Sequence, residues 1–273
     1  PRPARQAPNQ RKGFPLMQAV NARLKPIVPG PWRSWVKETL EAPLVAGDLT
    51  RLAQIYRTDK WRSGFTEVYP RWLASSRHRL RTVLEIGVGG GEKPHVGGGS
   101  LRMWKRYFPR AHIYGLDLYP KAIREPRITV FQGSQSDREL LQDVARRIGP
   151  IDLLIDDGSH RGRDIAISFQ TLFPAVRPGG LYVIEDLQTS YWPTYEGGAP
   201  GTPGTGIALV QRLLDGLHHP FFQVERSVPS YTDLHVAAVH VYPAIAFIEK
   251  SRATPTTPDP SPSTGASPHE RAN

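Results

Sequence analysis

From residue 82 onward the chain alternates short β-rich runs with helical stretches, and this alternation narrows its fold more than any other feature. "TVLEIGV" (82–88), "HIYGLDL" (112–118), "RITVFQG" (127–133), "IDLLIDD" (151–157) and "GLYVIEDL" (180–187) read as five strands. Between them, "SLRMWKRYF" with Ser100 as its N-cap, "RELLQDVARRI", "AISFQTLFPAV" and "IALVQRLLDGL" read as helices. Such alternation predicts a Rossmann-like α/β fold, a mostly parallel sheet with helices on both faces. "VAAVHVY" and "AIAFIEK", joined at "YPA", predict a closing hairpin that adds an antiparallel edge.

Ahead of this core, "DLTRLAQIYRTDK" predicts a helix capped by Asp48, and "VYPRWLASSRHRL" a second one. Residues 47–250 therefore form the expected folded domain, with 47–80 as a helical lead-in. Residues 1–46 are Pro-broken and basic, and read as a disordered or weakly ordered arm. Residues 251–273 are a Pro/Ser/Thr tail with few core formers.

Of the net charge of +10, residues 1–37 contribute +8 through eight basic residues and no acidic one. The body is close to neutral and carries no nucleic-acid recognition motif, so no nucleic-acid partner is expected. No apolar run reaches the ~20 residues of a membrane span, and no secretory h-region is present. Cys is absent, which excludes disulfides and thiolate chemistry. The expectation is a soluble cytoplasmic protein; assembly into a homo-oligomer stays open.

The chemistry concentrates where strands end. Gly87, Gly89, Gly90 and Gly91 follow the first strand, where glycines let the backbone approach a ligand closely. A dinucleotide fingerprint needs G-x-G-x-x-G, but its third glycine falls on Glu92, which disfavours a dehydrogenase. What stands there is E-x-G-x-G-x-G, from Glu85 to Gly91, resembling motif I of class I S-adenosylmethionine (SAM) methyltransferases. Asp117 ends the second strand, where an acid can accept ribose hydroxyls. Gln132, Gly133, Ser134 and Gln135 end the third, placed to read an adenine edge.

The fourth strand ends in Asp156 and Asp157, and the fifth in Glu185 and Asp186. Neighbouring strands lie ~4.8 Å apart, so Asp157, Glu185 and Asp186 should converge. Three hard oxygen donors suit Mg²⁺ or a similar cation. Asp156 is left to face the cofactor. His160, three residues beyond Asp157, is the candidate general base. Tyr191 and Trp192 are candidate acceptor contacts, and "YEGGAPGTPGTG" a candidate lid.

Taken together, "YRTDKW", "VLEIGVGGGE", "GGGSLRMWKRYFP", "IYGLDLY", "QGSQSD", "IDDGSH", "PGGLYVIEDLQTSYWP" and "DGLHH" resemble the metal-dependent macrolide-sugar and rhamnosyl O-methyltransferases over about residues 50–250. The resemblance implies a class I methyltransferase sheet, SAM as methyl donor and Mg²⁺ on Asp157, Glu185 and Asp186. It implies His160 as base and Thr58, in the Thr-Asp-Lys segment, near the cofactor. The implied activity is methylation of a sugar hydroxyl on a glycosylated natural product, as in macrolide or polyketide tailoring. Two alternatives remain: methylation of a catechol or other small vicinal diol, and a non-catalytic SAM-binding protein.

Overall fold

A computed structural model describes residues 36–223 and 228–252. Most of the basic arm and nearly all of the Pro/Ser/Thr tail lie outside these residues. The chain is already helical at Lys37–Glu41 and Ala42–Leu44, inside the stretch expected to be weakly ordered. Two contacts hold it there: Ala42 is fully buried, and Glu41 pairs with Arg51 at 2.5 Å.

Helix α1 (Leu49–Tyr56) opens as expected, with Asp48 accepting the Arg51 amide, and ends at Arg57 in a left-handed conformation. Helix α2 (Phe65–Leu73) follows after a short turn at Asp59–Trp61. Strand β1 is Thr82–Ile86 and helix α3 is Gly99–Tyr107. The cap of α3 is Gly98, not Ser100. Gly98 sits at φ +74°, a conformation glycine adopts without strain, and the cap lies two residues earlier than the serine suggested.

Next come β2 (His112–Asp117), β3 (Ile128–Gln132), α4 (Arg138–Ile148), β4 (Ile151–Asp156), α5 (Gly162–Leu172) and β5 (Val176–Ile184). Helix α6 (Gly206–Gly216), the short α7 (Tyr231–His235) and strands β6 (Val236–Tyr242) and β7 (Ile245–Lys250) complete the described fold. The seven strands run in the order β3-β2-β1-β4-β5-β7-β6. The first five are parallel; β7 inserts antiparallel beside β5, and β6 forms the outer edge.

Alternation along the strands splits the core in two. Val83, Ile113, Leu153, Ile155 and Val183 point to one face, against Leu52, Tyr69, Leu101 and Trp104 of α1–α3. Leu84, Ile86, Leu154, Tyr182 and Ile184 point to the other, against Leu141, Phe169 and Leu213 of α4–α6. A sheet covered on both faces must bind ligands at its edge, and in such sheets that place is the carboxyl end beside the switch in strand order, here between β1 and β4.

Candidate active site

A cavity of about 1080 Å³ opens at that switch point, large enough for a nucleoside-sized ligand and part of an acceptor. Its floor is the glycine loop after β1. Gly87 has φ +90°, and a Cβ there would collide with the backbone carbonyl of Asp157. The two strand ends therefore touch only because residue 87 lacks a side chain. Gly89 also has positive φ but faces open space, leaving backbone free to meet a ligand.

Of the residues expected at a cofactor, Thr58, Gly87, Gly89, Asp117, Gly133 and Gln135 all line the cavity. Thr58 is delivered by the left-handed Arg57, which turns the chain away from α1. Asp117 is held by the amides of Val88 and Tyr119, each at 2.9 Å, one on each carboxylate oxygen. A carboxylate oxygen has a second lone pair, so both can still accept from a ligand. The Gln135 side chain is committed elsewhere: its amide donates to Asp156 at 3.1 Å and its carbonyl accepts the Ser159 amide at 2.6 Å. It ties the β3 and β4 loops together and does not reach outward to an adenine. Gln132 lies outside the cavity wall and is exposed, because β3 is an edge strand.

Asp156 does not face the cofactor space. It is the last residue of β4, in register with Ile86 and Ile184, and its side chain points toward α5. There it accepts hydrogen bonds from Ser168 (2.5 Å), Tyr182 (3.0 Å) and Gln135. Burial pushes its carboxyl up to about 6, against the opposing pull of these three donors.

Asp157 lies on the opposite side and meets a side chain that sequence patterning does not single out. Lys60, almost fully buried, places Nζ 2.7 Å from Asp157 Oδ2, 2.7 Å from Glu185 Oε2 and 3.0 Å from Glu85 Oε1. The Glu85 contact is the longest of the three and less well aligned than the other two. Glu85 is thus a buried support below the loop and not part of the cavity wall. The second Glu185 oxygen accepts from Tyr69 at 2.5 Å. Burial alone would lower the Lys60 ammonium, but Asp157, Glu185 and Glu85 offset this and hold it well above the ordinary lysine range. Burial likewise raises Glu185 and Asp157, with Lys60 pulling both back.

Among the described residues, Asp157, His160 and Asp186 form a group whose ligand atoms all lie within 4.8 Å of one another. All three line the cavity, and His160 Nε2 sits 3.7 Å from Asp186 Oδ2. Gln188 fixes the other Asp186 oxygen at 2.9 Å. His160 and Asp186 both have left-handed backbones, at φ +58° and +54°. For residues other than glycine this costs on the order of 1–3 kcal/mol each, and such residues gather at functional sites. Glu185 stands apart from the group: it is buried, does not line the cavity, and points its oxygens at Lys60 and Tyr69. Two carboxylates and an imidazole, partly open to solvent, fit a hard divalent cation that keeps several waters.

Tyr191 and Trp192 do not reach the cavity and are nearly half exposed. The turn at Pro193–Tyr195 instead brings Thr194 and Tyr195 to the wall, with the Tyr195 ring 5.9 Å from His160 and backed by Trp192 at 6.0 Å. The segment read as a lid is drawn close to the body. A Cβ at Gly197 would collide with Ser190, and one at Gly162 with Gly204 and Thr205.

No family model matches the sequence. Relatives of known activity do. A 2'-O-methyltransferase of 8-demethyl-8-alpha-L-rhamnosyl tetracenomycin-C from Streptomyces olivaceus is 47% identical over 205 residues, covering 74% of this chain and 54% of the relative. Mycinamicin VI 2''-O-methyltransferase from Micromonospora griseorubida is 46% identical over 211 residues, covering 75% and 53%. The crystal structure of MycE methyltransferase from the mycinamycin pathway, in complex with Mg and SAH, superposes with a TM-score of 0.72 at 46% identity, covering 75% of this chain and 54% of that one. The chain belongs to the macrolide-sugar and rhamnosyl O-methyltransferase family. It spans about half the length of the curated relatives it matches. The family's class I methyltransferase sheet is the one described above. Two features of this member had no local signal in the sequence. Lys60 and Tyr69 reach Glu185 across 125 and 116 residues, and only the Thr-Asp-Lys motif pointed near them.

Proposed function

We propose that this chain is a SAM-dependent, divalent-metal-dependent O-methyltransferase acting on a sugar hydroxyl of a glycosylated natural product. The carrying observation is the convergence of Asp157, His160 and Asp186 at the rim of a glycine-floored cavity. SAM, when bound, would supply the methyl group. Mg²⁺ or a similar ion would supply positive charge and a template for two adjacent hydroxyls.

The chain's own residues do the rest. The glycine loop, Thr58 and Asp117 give the cofactor a floor and an acceptor for its ribose. Asp157 and Asp186 would hold the ion, Asp157 through whatever valence Lys60 leaves it and Asp186 in the orientation Gln188 sets. Lys60, Glu185, Tyr69 and Glu85 form a buried platform that fixes Asp157 from behind. His160, on the cavity wall with Nε2 3.7 Å from Asp186 Oδ2, would take the proton of the attacking hydroxyl. Tyr195 offers a ring face to a sugar at the same rim. Support for a sugar acceptor comes from the relatives, whose names specify a rhamnosyl tetracenomycin, mycinamicin VI and demethylmacrocin.

The test is mass spectrometry of rhamnosylated and macrolide glycosides, with catechols beside them, incubated with SAM and Mg²⁺. A mass gain of one methyl on a glycoside supports the proposal. Methylation confined to catechols replaces the acceptor class, and cofactor binding by calorimetry without any turnover makes this a binding protein.

A further inference from the structure

Thr189 is buried, lies just outside the cavity wall, and has no role in the chemistry above. Its hydroxyl sits 2.7 Å from the backbone carbonyl of Asp186 and 3.1 Å from that of His160. The first contact is local, three residues back along the turn at Leu187–Tyr191. The second crosses 29 residues of sequence to another loop. Both carbonyls belong to residues in the left-handed conformation, and both residues carry side chains of the candidate metal and base group. The Thr189 amide adds a bond to the Asp186 carbonyl at 3.0 Å. A single buried hydroxyl, its one proton shared between two carbonyls, thus bridges the two strained backbones from which the His160 imidazole and the Asp186 carboxylate project.

We propose that Thr189 is a positioning residue of this site: its hydroxyl fixes the separation of the His160 and Asp186 loops, and so the spacing of imidazole and carboxylate around a bound divalent cation. The role rests on reading Asp157, His160 and Asp186 as the metal and base group. Strained loops relax when their cross-link is removed, and loss of a supporting hydrogen bond around a metal site typically weakens metal affinity about 10–100-fold.

The experiment is Mn²⁺ titration of the full chain by electron paramagnetic resonance and calorimetry, on wild type, Thr189→Val and Thr189→Ser. Thr189→Val keeps the shape and loses the hydroxyl, and should weaken Mn²⁺ binding about tenfold or more. Thr189→Ser keeps the hydroxyl and should bind Mn²⁺ as wild type does, well short of the loss expected for valine. Should the valine variant fail to fold, Thr189→Ala fills no new space and takes its place. Unchanged Mn²⁺ affinity in the valine or alanine variant overturns the role of Thr189 while the metal reading stands. Equal weakening in Thr189→Ser also overturns it, since the hydroxyl is then not what matters. Absence of Mn²⁺ binding in wild type removes the metal reading and the role of Thr189 together.

Discussion

Asp156 and Asp157 are neighbours that share neither surroundings nor task. Strand alternation sends Asp156 to the α5 side, beneath Ser168 and Tyr182, and Asp157 to the cavity and Lys60. The Asp156 carboxyl has an ordinary value near 3.9 in an unfolded chain and about 6 in the fold. Its protonated form therefore favours the folded state, a contribution fully present below pH ~4 and lost as pH rises through about 6. Two pK units correspond to up to about 3 kcal/mol. Asp156→Asn should be more stable relative to wild type at pH 7 than at pH 4, a difference read by denaturant unfolding at each pH; a pH-independent difference would count against the burial argument. Lys60→Met tests the other side of the sheet. It leaves three carboxylates without their cation and should cost about 3–5 kcal/mol in unfolding free energy, visible as a large fall in thermal midpoint. The sequence showed which acids stand at the strand ends. It did not show which way each points, since that depends on where β4 stops, and it placed Lys60 only in a motif near the cofactor, not among its carboxylate partners at the ends of three strands distant in the chain.

At the scale of elements, the sheet and its helices were legible almost throughout, because apolar periodicity and glycine punctuation are local signals. The differences occur where tertiary contact decides. Gly98 displaces Ser100 as the cap of α3, and the segment after Trp192 turns so that Tyr195, not Tyr191, meets the cavity. The glycine-rich stretch before α6 has the composition of a lid, yet glycines at its contacts let it sit against the body. Gly162 opens α5 with no room for a side chain beside Gly204 and Thr205. Gly162→Ala should force these backbones apart, lowering stability by about 1–3 kcal/mol and opening residues 196–205 to limited proteolysis. Wild-type cleavage kinetics in that variant would show that the contact does not hold the loop.

For the molecule as a whole, the two-faced core leaves the carboxyl edge of the sheet as the place where a ligand can bind. The chain spans about half the length of its curated relatives, so its own turnover has to be measured directly. Metal dependence is the claim on which the roles of Asp157, Asp186 and His160 all depend. The direct measurement is transfer of a labelled methyl group from SAM to a rhamnosyl or macrolide glycoside, run with Mg²⁺ and again with excess EDTA. The expected result is label in the glycoside with Mg²⁺, its disappearance with EDTA, and its return when Mg²⁺ is restored. Full transfer in the presence of the chelator would contradict it.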